Sequence, residues 1–315
     1  MRTFIPLSLF STLALLVASN AAQAQAYLYI SSKSGNVNRY QGPSGSTPGQ
    51  FDKKLNAPGD PVQPINTIGL AIGPDGNLYV PSFTNVLRYS GVTGNYLDTF
   101  MTGNLRGGAF DAAGNYYVGD NDTGNILKNT GGVVSVFANA ANTNDMRNMK
   151  FGPDGKLYVA YASGGSVKRI DATGTVDGTY TTNFPNGVTF DSSGNLLVTN
   201  YSTHAVSAYS SPGVPAYSFS TAAHAPDILD VAFDDSGALY VDHQDGGVYR
   251  YGLDGTYLGV FGQTATPSFQ TTNSYSFLFS SSGAGTPTAT PEPGTVVLLG
   301  ALMTVGAGLL RKRRK

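Results

Sequence analysis

Five segments of the chain share one pattern of apolar and turn-forming residues. Each begins with a short apolar stretch that ends in Phe or Ile, continues through a turn that contains Gly, and resumes with an apolar triplet such as Leu78-Tyr79-Val80. The segments are residues 69–80, 107–118, 148–159, 187–198 and 230–241. Their turn glycines are 38, 41, 39 and 43 residues apart, at Gly76, Gly114, Gly155, Gly194 and Gly237. A period of about 40 residues predicts a β-propeller in which each repeat is one four-stranded blade.

The residues of each repeat fit two strands joined by a tight turn. Asp111 and Asp191 accept backbone hydrogen bonds at the start of such a turn, Pro74 and Pro153 set φ at its second position, and the glycine supplies a left-handed residue. Apolar residues on both faces of the triplets indicate strands that are covered on both sides. Further apolar runs predict a third strand in each repeat and a fourth in several: Val86–Tyr89, Ile126–Leu127, Val167–Ile170, Ala205–Tyr209 and Val248–Tyr251, then Tyr96–Phe100, Val133–Phe137 and Tyr257–Phe261.

The two ends of the repeat region complement each other. Tyr27–Ile30 and Val37–Tyr40 read as the second and third strands of a repeat that lacks its first strand. Ser276–Gly283 matches the missing first strand and turn, with Phe279 where Phe190 stands in another repeat. The C-terminal strand is therefore expected to complete the first blade, so that residues 27–283 form an all-β, six-bladed propeller. An open solenoid or a β-sandwich is the alternative, but neither explains the complementary fragments.

The terminal segments have the composition of export and anchoring signals. Residues 1–26 combine Arg2, an apolar stretch and two small-x-small sites, which predicts a signal peptide cleaved after Ala24 or Ala26; a membrane anchor is the alternative. Residues 284–290 form a Thr/Gly/Pro-rich linker, and residues 294–310 are an uncharged run of the length of a short transmembrane helix. Five basic residues follow it and place that end in the cytoplasm: Arg311, Lys312, Arg313, Arg314 and Lys315.

Composition narrows the classes of function. The chain has 315 residues with 40 Gly, 17 Pro, no Cys and no Trp, which excludes a disulfide scaffold and agrees with an exported protein that needs no oxidative folding. With 41% hydrophobic residues it is not a disordered chain. Without the terminal segments, 13 basic residues stand against 19 Asp, a net charge near −6 that argues against nucleic acid or anionic lipid as a partner.

Two resemblances follow from these motifs. The repeats resemble the NHL-repeat and SMP-30/gluconolactonase-like six-bladed propellers and the streptogramin lyase type; the lack of Trp disfavours the WD40 type. The tail, with Pro291, Glu292 and Pro293 before the apolar run and the basic cluster, resembles the PEP-CTERM sorting signal of exported bacterial proteins. That resemblance implies signal peptidase and an exosortase-type enzyme as processing partners. It also implies transient anchoring in the inner membrane of a Gram-negative-type bacterium, followed by the cell surface or extracellular matrix. A permanent tail anchor is the alternative.

The lactonase-like resemblance implies a divalent metal at the channel mouth, held by Glu, Asn and Asp. In this chain the repeat region has no Glu, and the corresponding positions are Ile68, Arg106, Arg147, Asn186 and Leu229, of which only Asn186 suits a cation. A metal site of this kind would have to use Asn186, Asp227 and Asp230. A structural Ca²⁺ in Gly119–Asn125 is a further alternative to a solvated turn there, and Asp242–Asp245 occupies the same place in its own repeat. We expect no cofactor, with Ca²⁺ as the one alternative.

The remaining candidates are the histidines and the arginines. His204, His224 and His243 are expected to be exposed loop residues, although a lyase would need a histidine near the channel. Arg106 and Arg147 occupy equivalent positions of adjacent blades, with Asn186 on the next. These three residues are predicted to bind an anionic group such as a carboxylate or acidic sugar; the alternative is pairing with neighbouring Asp residues. The sequence thus favours a binding or scaffold protein whose partner is an anionic glycan or another envelope protein. A propeller hydrolase or lyase is the alternative, and a self-associating matrix polymer is a third class.

Overall fold

The computed structural model describes residues 27–139, 145–224, 227–261 and 274–280. In these residues 24 β-strands form six four-stranded sheets, and the one helical element is a 3-10 turn at Tyr201–Thr203. No helix in this part of the chain has the length and apolar character needed to cross a membrane. The strands are β1 Tyr27–Ser32, β2 Val37–Gln41, β3 Phe51–Lys54, β4 Ala71–Ile72, β5 Leu78–Pro81, β6 Asn85–Tyr89, β7 Tyr96–Thr102, β8 Leu105–Phe110, β9 Tyr116–Asp120, β10 Asn125–Thr130, β11 Val133–Asn139, β12 Met146–Phe151, β13 Leu157–Tyr161, β14 Ser166–Ile170, β15 Val176–Thr181, β16 Pro185–Phe190, β17 Leu196–Asn200, β18 Ala205–Ser211, β19 Val214–Ser220, β20 Ile228–Phe233, β21 Leu239–His243, β22 Val248–Tyr251, β23 Tyr257–Val260 and β24 Ser274–Phe279.

The six sheets are the blades of a propeller. Blade 1 has the strand order β24-β1-β2-β3, and blades 2 to 6 each use four consecutive strands, from β4-β5-β6-β7 to β20-β21-β22-β23. All pairs within a blade are antiparallel. The first strands of successive blades contact one another from β4 through β8, β12, β16 and β20 to β24, so they surround a central channel. The predicted all-β, six-bladed propeller is confirmed.

Blade 1 is closed by the C-terminal strand, as the complementary fragments predict. In β24, Phe279 lies opposite Leu28, the same register in which Phe190 lies opposite Leu196 in blade 5. Ser280 extends the pairing, because its N–H donates to the carbonyl of Tyr27 at 2.8 Å. The predicted turn at Gly283, the signal peptide, the linker, the transmembrane helix and the sorting motif all lie outside the described residues.

The hydrophobic core is divided among the interfaces between blades. Between blades 1 and 2, for example, Tyr29 and Leu55 pack with Leu78 and Leu87, and all four are almost fully buried. Six such clusters account for the apolar triplets, since each sheet is covered on both faces by its neighbours. Burial of each large aliphatic side chain contributes about 1.5–3 kcal/mol, so the ring depends on all six interfaces.

The repeated turn is held by an aspartate and a tyrosine. In blade 3, Asp111 accepts backbone N–H bonds from Ala113 and Asn115, as predicted, and its second oxygen accepts from the Tyr117 hydroxyl at 3.0 Å. The turn glycines have φ between 72° and 82°, the left-handed region. Blade 5 has Leu197 in place of the tyrosine, and there Tyr217 on the outer strand donates to Asp191 at 3.0 Å.

Candidate functional site

One end of the channel carries one equivalent residue from each blade. These residues lie four positions before the Phe or Ile that ends the first repeat strand, and we call them the mouth ring: Ile68, Arg106, Arg147, Asn186, Leu229 and Tyr275. Arg106, Arg147 and Asn186 are each the second residue of an inner strand, β8, β12 and β16. The structure thus places the three predicted residues at equivalent positions on adjacent blades.

Both arginines bind the same carboxylate. Arg106 Nη1 lies 3.2 Å and Arg147 Nη2 lies 2.9 Å from Asp145 Oδ1, while the Ser163 hydroxyl donates to Asp145 Oδ2 at 2.6 Å. The three charged side chains are 12–17% exposed. Pairing with a neighbouring Asp therefore occurs, but one carboxylate serves two guanidinium groups. A single positive charge remains uncompensated within this cluster.

Aromatic side chains surround the arginines. The Arg106 guanidinium lies 4.3 Å from the centre of the Phe83 ring, and that of Arg147 lies 5.8 Å from Phe184 and 5.9 Å from Tyr275. Blade 4, which carries Arg147, and blade 1, which carries Tyr275, are opposite each other in the ring. Contacts of this length between a cation and an aromatic ring are attractive, so the rings hold the two arginine side chains over the channel.

Each of the three predicted residues has a buried nitrogen without a hydrogen-bond partner among the described residues. These atoms are Arg106 Nε, Arg147 Nε and Asn186 Nδ2. Burial lowers the pKa of Arg106, the positive charge of Arg147 lowers it further, and Asp145 opposes both effects. A buried unpaired donor costs about 1–3 kcal/mol, and an anion that accepts from it would remove that cost.

Phe184 has an unusual backbone at this mouth. Its φ is 51°, a left-handed conformation that a bulky residue seldom adopts, and its carbonyl accepts from the Tyr201 N–H at 3.1 Å. The Phe184 and Tyr201 rings lie 5.7 Å apart. Asp227, which directly precedes β20, has a φ of 60°. Strained backbone of this kind concentrates at binding and catalytic sites, so two of the segments that lead into inner strands carry a feature typical of function.

A polar network lies next to the mouth ring inside the channel. Asn148 of blade 4 donates from Nδ2 to both oxygens of Asp230 of blade 6 at 3.0 Å, across blade 5. Gly187 of blade 5 leaves room for this contact, since a Cβ there would lie 2.4 Å from Asp230 Oδ1. Ser276 Oγ and the Phe277 N–H of blade 1 also donate to Asp230, at 2.8 and 3.1 Å. One carboxylate therefore connects blades 4, 6 and 1.

Two further charged groups lie near this network. Lys150 Nζ contacts Thr189 Oγ1 at 3.0 Å, and burial lowers its pKa while Asp230 opposes the change. The Lys150 side chain also has solvent-accessible surface. A position inside the narrow channel explains both the accessible surface and the lowered pKa. Asp242 is fully buried, accepts from the Ser274 hydroxyl, and has a pKa raised by burial and by the charge of Asp230.

The buried carboxylates predict an unusual dependence of stability on pH. Burial raises the pKa of Asp230 to about 6, although bonds from Ser276, Val231, Phe277 and Asn148 lower it in part. Between pH 4 and 6 the folded state then binds more protons than the unfolded state. We expect the free energy of unfolding to fall by up to about 3 kcal/mol as the pH rises through this range.

Urea denaturation at half-unit steps between pH 3 and 7 measures this effect. Below pH 4 the slope should reverse, because Asp171 and Asp254 have pKa values lowered by bonds from Thr173 and Thr256, and their contribution is lost as the pH falls through those values. A free energy of unfolding that rises steadily from pH 4 to 6 would show that ionisation of Asp230 does not destabilise the folded state.

Two residues of the alternative metal site already have hydrogen-bond partners in the protein. Asp230 accepts hydrogen bonds from protein donors on both oxygens, and the Asp227 N–H donates to His204 Nδ1 at 2.9 Å. Among the described residues there is no group of three or more His, Asp or Glu side chains that could hold a metal ion. In the alternative Ca²⁺ turn, Asp120 accepts from the Asp122 N–H and the Thr123 hydroxyl.

The expectation that all three histidines are exposed loop residues is wrong for His243. It ends β21 and has no exposed surface, and its ring lies 4.5 Å from that of Tyr249. The repeat motif ends at Val241, but strand β21 continues to His243, so this residue is part of the sheet and is covered by its neighbours. His224 stacks on Tyr257 at 3.7 Å, and His204 lies at the mouth beside Asp227.

Several residues of the site were missed by sequence reasoning. Tyr275 could have been found, because Phe279 aligns with Phe190 and Tyr275 therefore aligns with Asn186. Asp145 directly precedes β12, and Phe83 belongs to a loop between β5 and β6. No motif marks these two residues, since only the closed ring brings segments from different blades together.

Comparisons with known proteins agree with this architecture. Residues 182–209, from the start of blade 5, match the sequence profile of the NHL repeat. No curated protein sequence matches the chain significantly. The chain is a six-bladed β-propeller, and one of its repeats matches the NHL repeat.

Solved structures with the same fold have varied functions. The chain is similar to a structure from the nidogen/laminin complex, with 18% identity and a TM-score of 0.65 over 82% of this chain and 99% of that one. It is also similar to a catalytically inactive virginiamycin B lyase from Staphylococcus aureus with quinupristin, with 12% identity and a TM-score of 0.57 over 79% and 88%. A gluconolactonase from Xanthomonas campestris has 17% identity and a TM-score of 0.54 over 64% and 77%. At these identities the likeness concerns the fold alone.

Proposed function

We propose that this protein is an exported, surface-directed β-propeller that binds an anionic ligand at the mouth ring. The observation that carries the proposal is the set of three buried nitrogens without partners, on Arg106, Arg147 and Asn186. They belong to equivalent positions of adjacent blades, and the two arginines share one carboxylate, that of Asp145. Donors of this kind suit a carboxylate or an acidic sugar, and the aromatic rings beside them suit the flat face of a sugar ring.

Binding of acidic sugars tests the proposal. Oligogalacturonate is titrated into residues 27–283 by isothermal calorimetry, with neutral galacto-oligosaccharide as the comparison. The double substitution Arg106→Ala/Arg147→Ala should weaken oligogalacturonate binding at least about tenfold, since it removes two charge-assisted donors. Asp145→Asn should strengthen binding, because it removes the carboxylate that competes for both arginines.

The matched control changes two arginines elsewhere on the same fold. Arg88 and Arg169 pair with Asp98 and Asp177 on blades 2 and 4, away from the mouth. The variant Arg88→Ala/Arg169→Ala loses the same net charge and should bind as the unmodified protein does. Equal weakening by both double variants would reduce the effect to overall charge and contradict a mouth site.

Export and tail processing form the second part of the proposal. The support is the sequence alone: the signal-like residues 1–26 and the Pro-Glu-Pro, apolar and basic parts of the tail. In a host with an exosortase, the protein should lose its tail and reach the cell surface. Glu292→Ala should stay membrane-associated with its tail. Surface delivery of an Arg311-Lys315 deletion without cleavage would overturn a role for the tail.

A lyase or hydrolase is the second candidate function. The specific observation is His204, a third exposed, whose Nδ1 accepts from the Asp227 N–H so that Nε2 carries the proton. One similar lyase is inactive as a histidine-to-alanine variant, and the Nε2–H of a mouth histidine can donate a hydrogen bond to negative charge that develops on a substrate. Elemental analysis for Ca²⁺ and Zn²⁺, with a turnover assay on lactones and streptogramins for the protein and His204→Ala, tests this candidate.

A further inference from the structure

The outer strands of the six blades differ in how they avoid pairing with other chains. Exposed edges of sheets are commonly protected by charge, proline or short length. Five outer strands here have such protection, whereas β11 (Val133–Asn139) has no charge and no proline in its seven residues, and a β-bulge interrupts its pairing only at Phe137. The protecting features are Lys53 and Lys54 in β3, Asp98 in β7, Asp177 in β15, Pro215 in β19, and a length of four residues in β23.

The edge of β11 is also the most apolar of these surfaces. Val133, Val134 and Val136 are 72, 47 and 59% exposed. Val134 lies beside Phe100 and Leu127 in a groove between blades 2 and 3. Side chains alternate along the strand, so Val134 and Val136 share one face and form an exposed apolar pair there, whereas single exposed apolar residues on the other edges are ordinary.

The backbone of the hairpin determines which groups of β11 face outward. Gly131 and Gly132 have φ values of 58° and 93°, as in a two-residue type I′ turn. Thr130 and Val133, which flank the turn, therefore exchange both of their hydrogen bonds, and the pattern alternates along the strand. Ser135 bonds inward to Lys128, so the N–H and C=O groups of Val134 and Val136 face away from the blade.

We infer that β11 pairs with β11 of a second copy of this chain. A two-fold axis at Ser135 places Val134 of each copy opposite Val136 of the other copy. The outward N–H and C=O groups of these residues then meet in two hydrogen-bonded pairs, and the two Ser135 residues face each other between them. The four valines lie on one face of the joined sheets, where β-branched pairs stabilise the contact.

The occupant is a second copy because the edge is complementary to itself. No charge in β11 opposes itself across a two-fold axis, whereas self-pairing of β3, β7 or β15 would bring like charges together. Further along β11 the carbonyl of Phe137 lies against Gly174, so the free stretch is short and centres on Ser135. A symmetric pair uses this stretch completely and closes as a dimer.

A single cysteine tests the register. The chain has no Cys, so Ser135→Cys introduces the only thiol. Directly opposed residues of a non-hydrogen-bonded antiparallel pair have Cα atoms about 4.5 Å apart, within the range of a disulfide. Residues 27–283 contain all the described strands and the six hydrophobic clusters between the blades, and they are used for the test. Ser135→Cys should form a covalent dimer in air, and Ser218→Cys, exposed on the outer strand β19, should stay monomeric.

Analytical ultracentrifugation over a range of protein concentrations measures the association itself. Val134→Lys/Val136→Lys places four ammonium groups together and should raise the dimer dissociation constant at least about tenfold. Val214→Lys/Ala216→Lys makes the same change at the same spacing on β19 and should leave it unchanged. A monomer at all concentrations, or a dimer that is insensitive to the β11 lysines, overturns the inference. Circular dichroism confirms that each variant is folded, and oligogalacturonate binding is independent of this result.

Discussion

A chain that ends at residue 273 is expected not to fold, whereas one that ends at residue 283 should unfold in a single cooperative transition. Of the described strands the shorter chain lacks one, β24, and this strand supplies the inner edge of blade 1. Its loss exposes the backbone edge of β1 and opens the ring between blades 6 and 1. A propeller with such an opening has two unprotected blade faces, and each apolar side chain uncovered costs about 1.5–3 kcal/mol.

The side chains of β24 explain the size of the effect. Phe277 is 3% exposed and packs with Leu28, Ile30 and Tyr40 in the cluster that joins blades 1 and 6. Phe277→Ala alone should cost about 3–5 kcal/mol, as for other buried phenylalanines. β24 also carries two donors to Asp230, the Ser276 hydroxyl and the Phe277 N–H. Without this strand, the buried Asp230 carboxylate loses both hydrogen bonds.

Thermal unfolding followed by circular dichroism distinguishes the two chains. We expect the chain of residues 27–283 to show a sharp transition and the chain of residues 27–273 to show none. Leu278→Ala is a milder comparison on the same strand, because Leu278 is only partly buried. A cooperative transition of equal midpoint in both chains would mean that five blades and a three-stranded sheet are a complete fold.

Asp230→Ala is expected to lower the free energy of unfolding by about 3–5 kcal/mol. The substitution removes a fully buried carboxylate and leaves Asn148 Nδ2, Ser276 Oγ and the Phe277 N–H without their acceptor. Removal of one partner from a buried polar network has costs of this size. The loss affects three blades together, since the donors belong to blades 4 and 1.

The matched control for Asp230 is an exposed aspartate in the same blade. Asp254 accepts from the Thr256 N–H and hydroxyl in a surface turn, so Asp254→Ala should lower the free energy of unfolding far less than Asp230→Ala does. Urea denaturation at pH 7 compares the two variants. Similar small losses in both would mean that water replaces the carboxylate in the channel, and that Asp230 does not join the blades.

The contacts between distant repeats could be predicted only in part. Equivalent spacing placed Arg106, Arg147 and Asn186 on adjacent blades, because a repeat fixes position within a blade. The distance between strands of different blades decides the other contacts. It allows Asp145 to bind both arginines, and it allows Asn148 to reach Asp230 past Gly187. No local pattern contains that distance.

The repeating unit and the number of units follow from local patterns in the sequence. The 38–43 residue period, the turn with Asp or Pro before Gly, and the two complementary ends were sufficient for six blades closed by a C-terminal strand, because turn chemistry and strand periodicity are local properties. Tertiary structure alone decided the mouth, where Phe83, Phe184 and Tyr275 surround two arginines, and the burial of His243. Both depend on the closure of the ring, which brings together residues that are far apart in the chain, such as Arg147 with Tyr275 and, 253 positions apart, Tyr27 with Ser280.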